Sequence, residues 1–423
     1  MSRLSRWIPS GLLAFCLPLT GAVLLASEGE SAKKVTYTKE VVRILQKRCQ
    51  ECHRPGQIGP FSLLDYESAK DWAETIKEVV NERRMPPWLA DRSVNKFSND
   101  RSLNQDEINT LNQWIEGGCL KGEESDMPEP RQFTEGWHIG KPDVVLTMNE
   151  EFNVPATGTI PYQHFVIPTN FEEDRWVQAV ELKAGNPAVV HHIVMFVRPQ
   201  DQTGQRLRNS QNSDEQSLGF FAALAPGYLP PEFPKGFGKK IPKGSNIVLQ
   251  MHYTANGTAQ ADRSSVALVF AREPVHTEIR TRGIFNNFFS IPPGADNHEV
   301  KSALRFPQDS IVLSFMPHMH VRGKDFEYVA EYADGRREKV LSVPRWDFNW
   351  QIHYELAEPM HMPKGSKLLC TAHFDNSTAN KANPDPDKKV TWGDQTWDEM
   401  MIGYINYYIP AAGEPPADAG GGK

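Results

Sequence analysis

From Asp143 onward the chain is written in short apolar runs cut by Pro, Gly and Asn, and this restricts its fold more than any other feature. The runs are Val144–Thr147, Val189–Val197, Asn246–Tyr253, Ser265–Phe270, Ser310–Met316, Phe326–Tyr332 and Lys367–Phe374. No stretch of comparable helical periodicity lies among them. Their spacing predicts two all-β sandwich domains of jelly-roll type, at 138–285 and 286–412. The 32 prolines in 423 residues exceed the usual share of about 5% and suit rigid connecting loops. A Gly-rich tail at 413–423 reads as a disordered end.

Upstream the periodicity changes. Tyr37–Arg48 is amphipathic, 69–81 reads as a helix, and Leu103, Ile108, Leu111, Trp114 and Ile115 share one helical face. Residues 123–137, with Met127-Pro-Glu-Pro130, carry charge and Pro without a period and read as a linker. A small all-α domain at 35–122 is therefore expected before the β-rich part. Length agrees, since about 150 residues per domain suggests three.

Residues 1–27 begin with Arg3 and Arg6, then run apolar from Trp7 to Ala26, the pattern of a secretory signal peptide. Export to a bacterial periplasm is expected, with an uncleaved membrane anchor as the alternative reading of the same stretch. A net charge of −7 and a pI near 6.0 argue against binding nucleic acid. The mean hydropathy of −0.51 excludes a multi-span membrane protein.

The chain has 5 Cys, too few for a disulfide scaffold of this length. Two of them form Cys49-Gln50-Glu51-Cys52-His53, the C-x-x-C-H of covalent c-type haem, in which two thiols bind the vinyl groups and His53 reaches the iron. A disulfide or thioredoxin-like pair is the competing reading. Met85, in Arg83-Arg84-Met85-Pro86-Pro87-Trp88, is the expected second axial ligand, because the prolines end the preceding helix and let the Met project. Ordinary packing of Met85, with Met127 as the ligand, is the alternative. The order helix, C-x-x-C-H, helix, Met-Pro-Pro, helix resembles a class I cytochrome c over residues 35 to about 120.

The histidines of the β-rich part fall into two groups. His191 and His192 are vicinal, so on a regular strand they point to opposite faces and can share a metal only where the backbone is irregular or where the two rings use different nitrogens. His252, in Leu249-Gln-Met-His-Tyr253, is the third candidate, and three imidazoles suit copper or zinc. His318 and His320 are two residues apart, which puts both rings on one strand face, and Met400 offers a thioether that suits cuprous copper. A lone His pair is as often a packed strand feature as a ligand set.

The ordered combination is more specific. His-His, Leu-Gln-Met-His-Tyr, His-x-His, then Asp-Glu-Met and a Tyr-Tyr strand resembles the copper type II, ascorbate-dependent monooxygenases over roughly 140–410. The resemblance implies two copper ions, one on His191, His192 and His252 and one on His318, His320 and Met400. It gives the second set the catalytic role, hydroxylating a C–H bond with dioxygen, while the three-His copper passes electrons. Animal members are rich in disulfides, whereas here only Cys119 and Cys370 remain, with no pairing decided by spacing. No counterpart of the animal substrate anchors stands out, so the organic substrate is not carried over.

Together these readings predict an exported haem c and copper monooxygenase. An external reductant or redox protein would feed the haem, and the haem would feed the three-His copper. The alternative is a haem–copper electron-transfer or copper-handling protein without catalysis.

Overall fold

The computed structural model describes residues 34–200, 219–225, 230 and 233–411, so the signal-peptide and tail readings lie outside the described residues. The fold is mostly β, at 37% strand and 12% helix. The helical stretches read from sequence form with small changes. Tyr37–Val41 is a wide π-type turn that runs into the α-helix Val42–Arg48, and Trp72 divides the next stretch into Tyr66–Asp71 and Ala73–Asn81. The helix Gln105–Glu116 starts at a capping box, Asn104 accepting from the Glu107 amide at 2.8 Å and Glu107 accepting in return at 2.8 Å. Its face buries Ile108, Leu111, Trp114 and Ile115 against Tyr37, Leu45 and Ile76.

The expected architecture is corrected here. No all-α N-terminal cytochrome domain stands apart from the β-rich part, and the predicted jelly rolls are instead six sheets of two to five strands. Residues from Val35 onward form one compact unit. The reason lies in the segment after Met85, whose apolar side chains pack into the β-rich part. Trp88, Ala90 and Phe97 enter the core of the second β half, where Trp88 meets Tyr354 edge-on at 5.1 Å and Phe97 lies 5.5 Å from the same ring. Phe97 bridges to Leu356, and the Asp91 and Ser98 amides donate to the carbonyls of Ser342 and Glu355.

Two pairs of sheets position the histidines. In the first half, Val144–Thr147, Ser265–Phe270, Arg175–Lys183, Phe237–Ile241 and Thr277–Glu278 form one sheet. Gln163–Pro168, Ser245–Tyr253, Val190–Pro199 and Phe220–Leu224 form the other. Val177, Leu182 and Leu268 from one meet Ile193, Leu249 and Met251 from the other in a shared core. In the second half, the sheet Arg280–Phe285, Ile402–Tyr408, Ser310–His318, Tyr354–Met362 packs on His298–Arg305, Lys367–Phe374, Gly323–Glu331, Arg337–Val343. Burial alternates residue by residue along Lys367–Phe374, the two-residue period of a half-buried strand. Gly403 is required by close approach, since a Cβ there would lie 2.6 Å from the Cys370 sulfur. Cys370 is a free buried thiol in this core, and Cys119 is a free buried thiol among the helices.

A buried polar chain crosses between the halves. Lys239 donates to the Phe221 carbonyl at 2.7 Å and to Thr281 at 2.8 Å, Thr281 donates to Asn406 at 2.6 Å, and His353 lies 2.6 Å from Ser314. Burial pushes Lys239 down to about 7 and His353 down to about 3. An unfolded His takes its proton near pH 6.5, whereas folded His353 refuses it until about 3. The unfolded state therefore binds more protons across that window, and stability falls as pH drops through it. Urea unfolding should show that His353→Gln removes up to about 1.4 kcal/mol per pH unit of this acid sensitivity. An identical slope in wild type and variant would refute the assignment.

Candidate metal centres

The first set rests on a defect in a β-ladder. Strands Val190–Pro199 and Ser245–Tyr253 pair antiparallel, with Val190 opposite Tyr253 and His192 opposite His252. The register slips between Val190 and His192, so His191 is the extra residue of a bulge. Of the two arrangements open to the vicinal pair, the backbone takes the irregular one. The ring centres of His191, His192 and His252 stand 4.8 to 5.3 Å apart, and a nitrogen from each lies within 4.8 Å of the others. Nδ1 of His191 is 3.1 Å from Nδ1 of His192, and Nδ1 of His252 is buried with no hydrogen-bond partner. Burial holds all three well toward the neutral form, His252 at about 3. Neutral imidazoles with converging lone pairs fit a divalent or monovalent metal ion.

The second set lies at a strand end. His318 closes the strand Ser310–His318, while His320 lies in the turn beyond it, so the pair is not carried on one strand face as the sequence suggested. The rings still sit 5.2 Å apart at 87°. His318 directs Nδ1 to the Gln351 side-chain oxygen at 3.0 Å, and His320 directs Nδ1 to the Asp398 carbonyl at 3.2 Å. Oxygen acceptors fix the proton on Nδ1 and leave both Nε2 lone pairs available, the outer-shell pattern of metal-bound histidine. The His320 Nε2 is buried with no partner. Burial lowers His318 to about 4 and holds His320 neutral too.

A buried carboxylate shapes that turn. Glu399 accepts from the His320 amide at 2.8 Å and the Arg322 amide at 2.6 Å, and both its neighbours are fully enclosed. Arg322 in turn donates to Asn376 and to the Trp397 carbonyl, each at 2.9 Å. The polar loop 380–389 braces the same turn through Asn380, which donates to the Val321 carbonyl at 3.1 Å. Met400 follows Glu399 and lines the cavity that His318 and His192 also line. That cavity lies between the two halves and is walled mainly by apolar groups, among them Ile193, Phe196, Phe220 and Tyr404.

At the third candidate site, Cys49 caps the helix Val42–Arg48 and the amides of Cys52 and His53 both donate to its carbonyl. Gly59 packs so closely that a Cβ would lie 2.6 Å from the Cys52 carbonyl oxygen. His53 Nδ1 faces the Phe61 carbonyl at 3.2 Å, which again places the proton on Nδ1 and frees Nε2. Cys49 and Cys52 are free thiols, the two sulfur atoms that covalent haem would need. Met85 is half-buried in the loop after Ala73–Asn81, its amide on the Val79 carbonyl at 3.2 Å.

Residues 283–417 match the family model described as copper type II ascorbate-dependent monooxygenase, C-terminal domain. The matched range contains His318, His320 and Met400, and the three-His cluster lies before it. This domain supports copper and a monooxygenase, hence oxidoreductase, activity that in this family uses dioxygen, a substrate and ascorbate. Among solved structures, the major capsid protein P2 of bacteriophage PM2 is 9% identical, over 63% of this chain and 96% of that one, with a TM-score of 0.27. PNGF-II is 10% identical over 63% and 64%, with a TM-score of 0.27. These likenesses are too slight to bear on fold or function. No helix among the described residues is long and apolar enough to cross a membrane.

Sequence reasoning missed four neighbours of the sets: Tyr162, Phe348, Gln351 and Glu399. Glu399 had a signal, its place beside Met400. The aromatic segment Trp346-Asp-Phe-Asn-Trp-Gln351 is equally conspicuous, but only the fold brings it to the histidines.

Proposed function

We propose that the chain hydroxylates a C–H bond of an apolar organic substrate, using dioxygen and two copper ions held by His191, His192 and His252 and by His318, His320 and Met400. The observation that carries this reading is the pair of neutral histidine sets beside one apolar cavity, each with a buried ring nitrogen that has no protein partner. Copper, when bound, supplies one-electron chemistry toward dioxygen. The protein's part is positional. Gln351 and the Asp398 carbonyl hold the rings, Glu399 fixes the turn, and the apolar wall excludes water from the substrate carbon. Dioxygen uptake in the presence of ascorbate should match hydroxylated product one to one for a turned-over substrate. Copper-loaded protein that consumes no dioxygen with any apolar candidate would instead favour electron transfer or copper handling.

We also propose covalent haem at Cys49 and Cys52, with His53 as an axial ligand and Met85 as the other, in a chain exported through residues 1–27. The His53–Phe61 bond and the tight Gly59 turn support the attachment. One packing contact bears on the electron path. Trp88, three residues after Met85, abuts Tyr354, and Tyr354 lies three residues from Gln351, the partner of His318. This favours electron delivery to the His318 set before the three-His set. After export from a host that matures c-type haem, the denatured chain should keep its porphyrin absorbance, and Cys49→Ala with Cys52→Ala should abolish it. A haem-free mature chain would overturn this part of the reading, and its first residue would report whether the signal is cleaved.

A further inference from the structure

The buried polar chain between the two halves has more donors than acceptors. Lys239, in the first-half strand Phe237–Ile241, is 5% exposed, and its ammonium donates to the Phe221 carbonyl and to Thr281. An ammonium carries three N–H donors, so one remains after these two bonds. Asn406, in the second-half strand Ile402–Tyr408, accepts from Thr281 and donates through Nδ2 to His353 Nε2 at 3.3 Å. Its amide has a second N–H as well. Each half therefore brings a spare donor to the joint.

Lys239, Thr281, His353 and Asn406 line one small cavity whose remaining wall is mainly apolar. No carboxylate among the described residues lines it, and none stands close enough to Lys239 to offset its charge. Besides Lys239, the titratable groups on the wall are His353 and Tyr404, and burial keeps both neutral. A buried cation among neutral groups is stabilised by an anion. Two spare N–H donors from opposite sides suit an acceptor with two oxygens better than a single-atom ion.

We propose that this cavity is a binding site for a carboxylate, which accepts one hydrogen bond from the Lys239 ammonium and one from the Asn406 amide and so ties the two halves together. The site is separate from both histidine sets and does not depend on what they hold. Phe220, Met316 and Tyr404 belong to its wall and to that of the larger cavity. Two sources therefore carry the same chemistry, a free small acid and the acid end of a larger apolar molecule lying next door. Binding needs the charged ammonium, and burial pushes Lys239 down to about 7. Affinity should accordingly fall as pH rises above that value, while His353 and Tyr404 stay neutral throughout.

The test is the thermal unfolding midpoint of the purified full chain titrated with sodium acetate, against sodium chloride at equal ionic strength. Wild type should show a saturable rise beyond that given by chloride, larger below the Lys239 value than above it. Lys239→Met removes the charged donor and should weaken the apparent Kd by about tenfold or more. Asn406→Asp supplies a carboxylate of the chain's own near Lys239, so it should abolish the acetate response, and it serves alone should Lys239→Met fail to fold. Sodium 4-phenylbutanoate separates the sources. A Lys239-dependent Kd tighter than that of acetate by about tenfold or more assigns the site to the acid end of a larger molecule, and any weaker Kd assigns it to a free small acid. No wild-type response beyond that of chloride overturns the site, and so does an acetate response that survives undiminished in either variant.

Discussion

His320→Ala should lower bound copper from two ions per chain to one and reduce hydroxylation by about 10³-fold or more. The side chain is fully buried, its Nδ1 is committed to the Asp398 carbonyl, and its Nε2 has no protein partner. Removing it deletes one of three donors from the His318 set and leaves an apolar pocket in place of a ligand. A metal that polarises the reacting oxygen contributes several kcal/mol, which corresponds to a loss of that order when the ion goes. The three-His set is untouched by the change, so its copper and its EPR spectrum should persist. Elemental analysis of the dialysed variant, with turnover measured on the same sample, checks both halves of the expectation. Two retained copper ions with unchanged turnover would remove His320 from the site.

Glu399→Ala should destabilise the fold by roughly 2–6 kcal/mol, from two unsatisfied buried amides, and release the same copper ion. Burial raises the Glu399 carboxyl, and although the Arg322, His320 and Met400 amides and the Arg322 charge pull against it, the group stands at about 8. Its removal leaves the His320 and Arg322 amides without their acceptor inside the protein, and takes one of three nearby acidic groups, with Asp385 and Asp398, from the enclosed Arg322 guanidinium. Each unsatisfied buried donor costs about 1–3 kcal/mol, so the turn that carries His320 should not keep its shape. Glu399→Gln retains one acceptor oxygen and should fall between wild type and Ala in urea denaturation. A loss below about 1 kcal/mol in Glu399→Ala would show that the turn is held by other contacts.

The sequence was most legible where a period or a cap states the structure. The face of Leu103, Ile108, Leu111, Trp114 and Ile115 is buried as read, and the runs Ser265–Phe270 and Lys367–Phe374 are strands with those bounds. The vicinal His191–His192 pair left an irregular backbone and different ring nitrogens as alternatives, and the ladder slips there. The cytochrome-like order of helices was misleading about architecture. Local period says nothing about where Trp88 and Phe97 find their partners, and those lie some 250 residues further along the chain, at Tyr354. Tyr162 and Phe348 were illegible for the same reason, because their place beside the histidines arises from long-range pairing of the halves. Nothing in the sequence singles out His353, and only its enclosure beside Ser314 makes it acid-sensitive.

The central claim is that two histidine sets hold copper. Its most direct test is the copper content and EPR spectrum of the purified mature protein after loading and dialysis. The account predicts two copper ions per chain, falling to one in His320→Ala and to one in His252→Ala, with a different EPR signal surviving in each variant. A wild-type chain that retains no copper, or the same single signal in both variants, would contradict it.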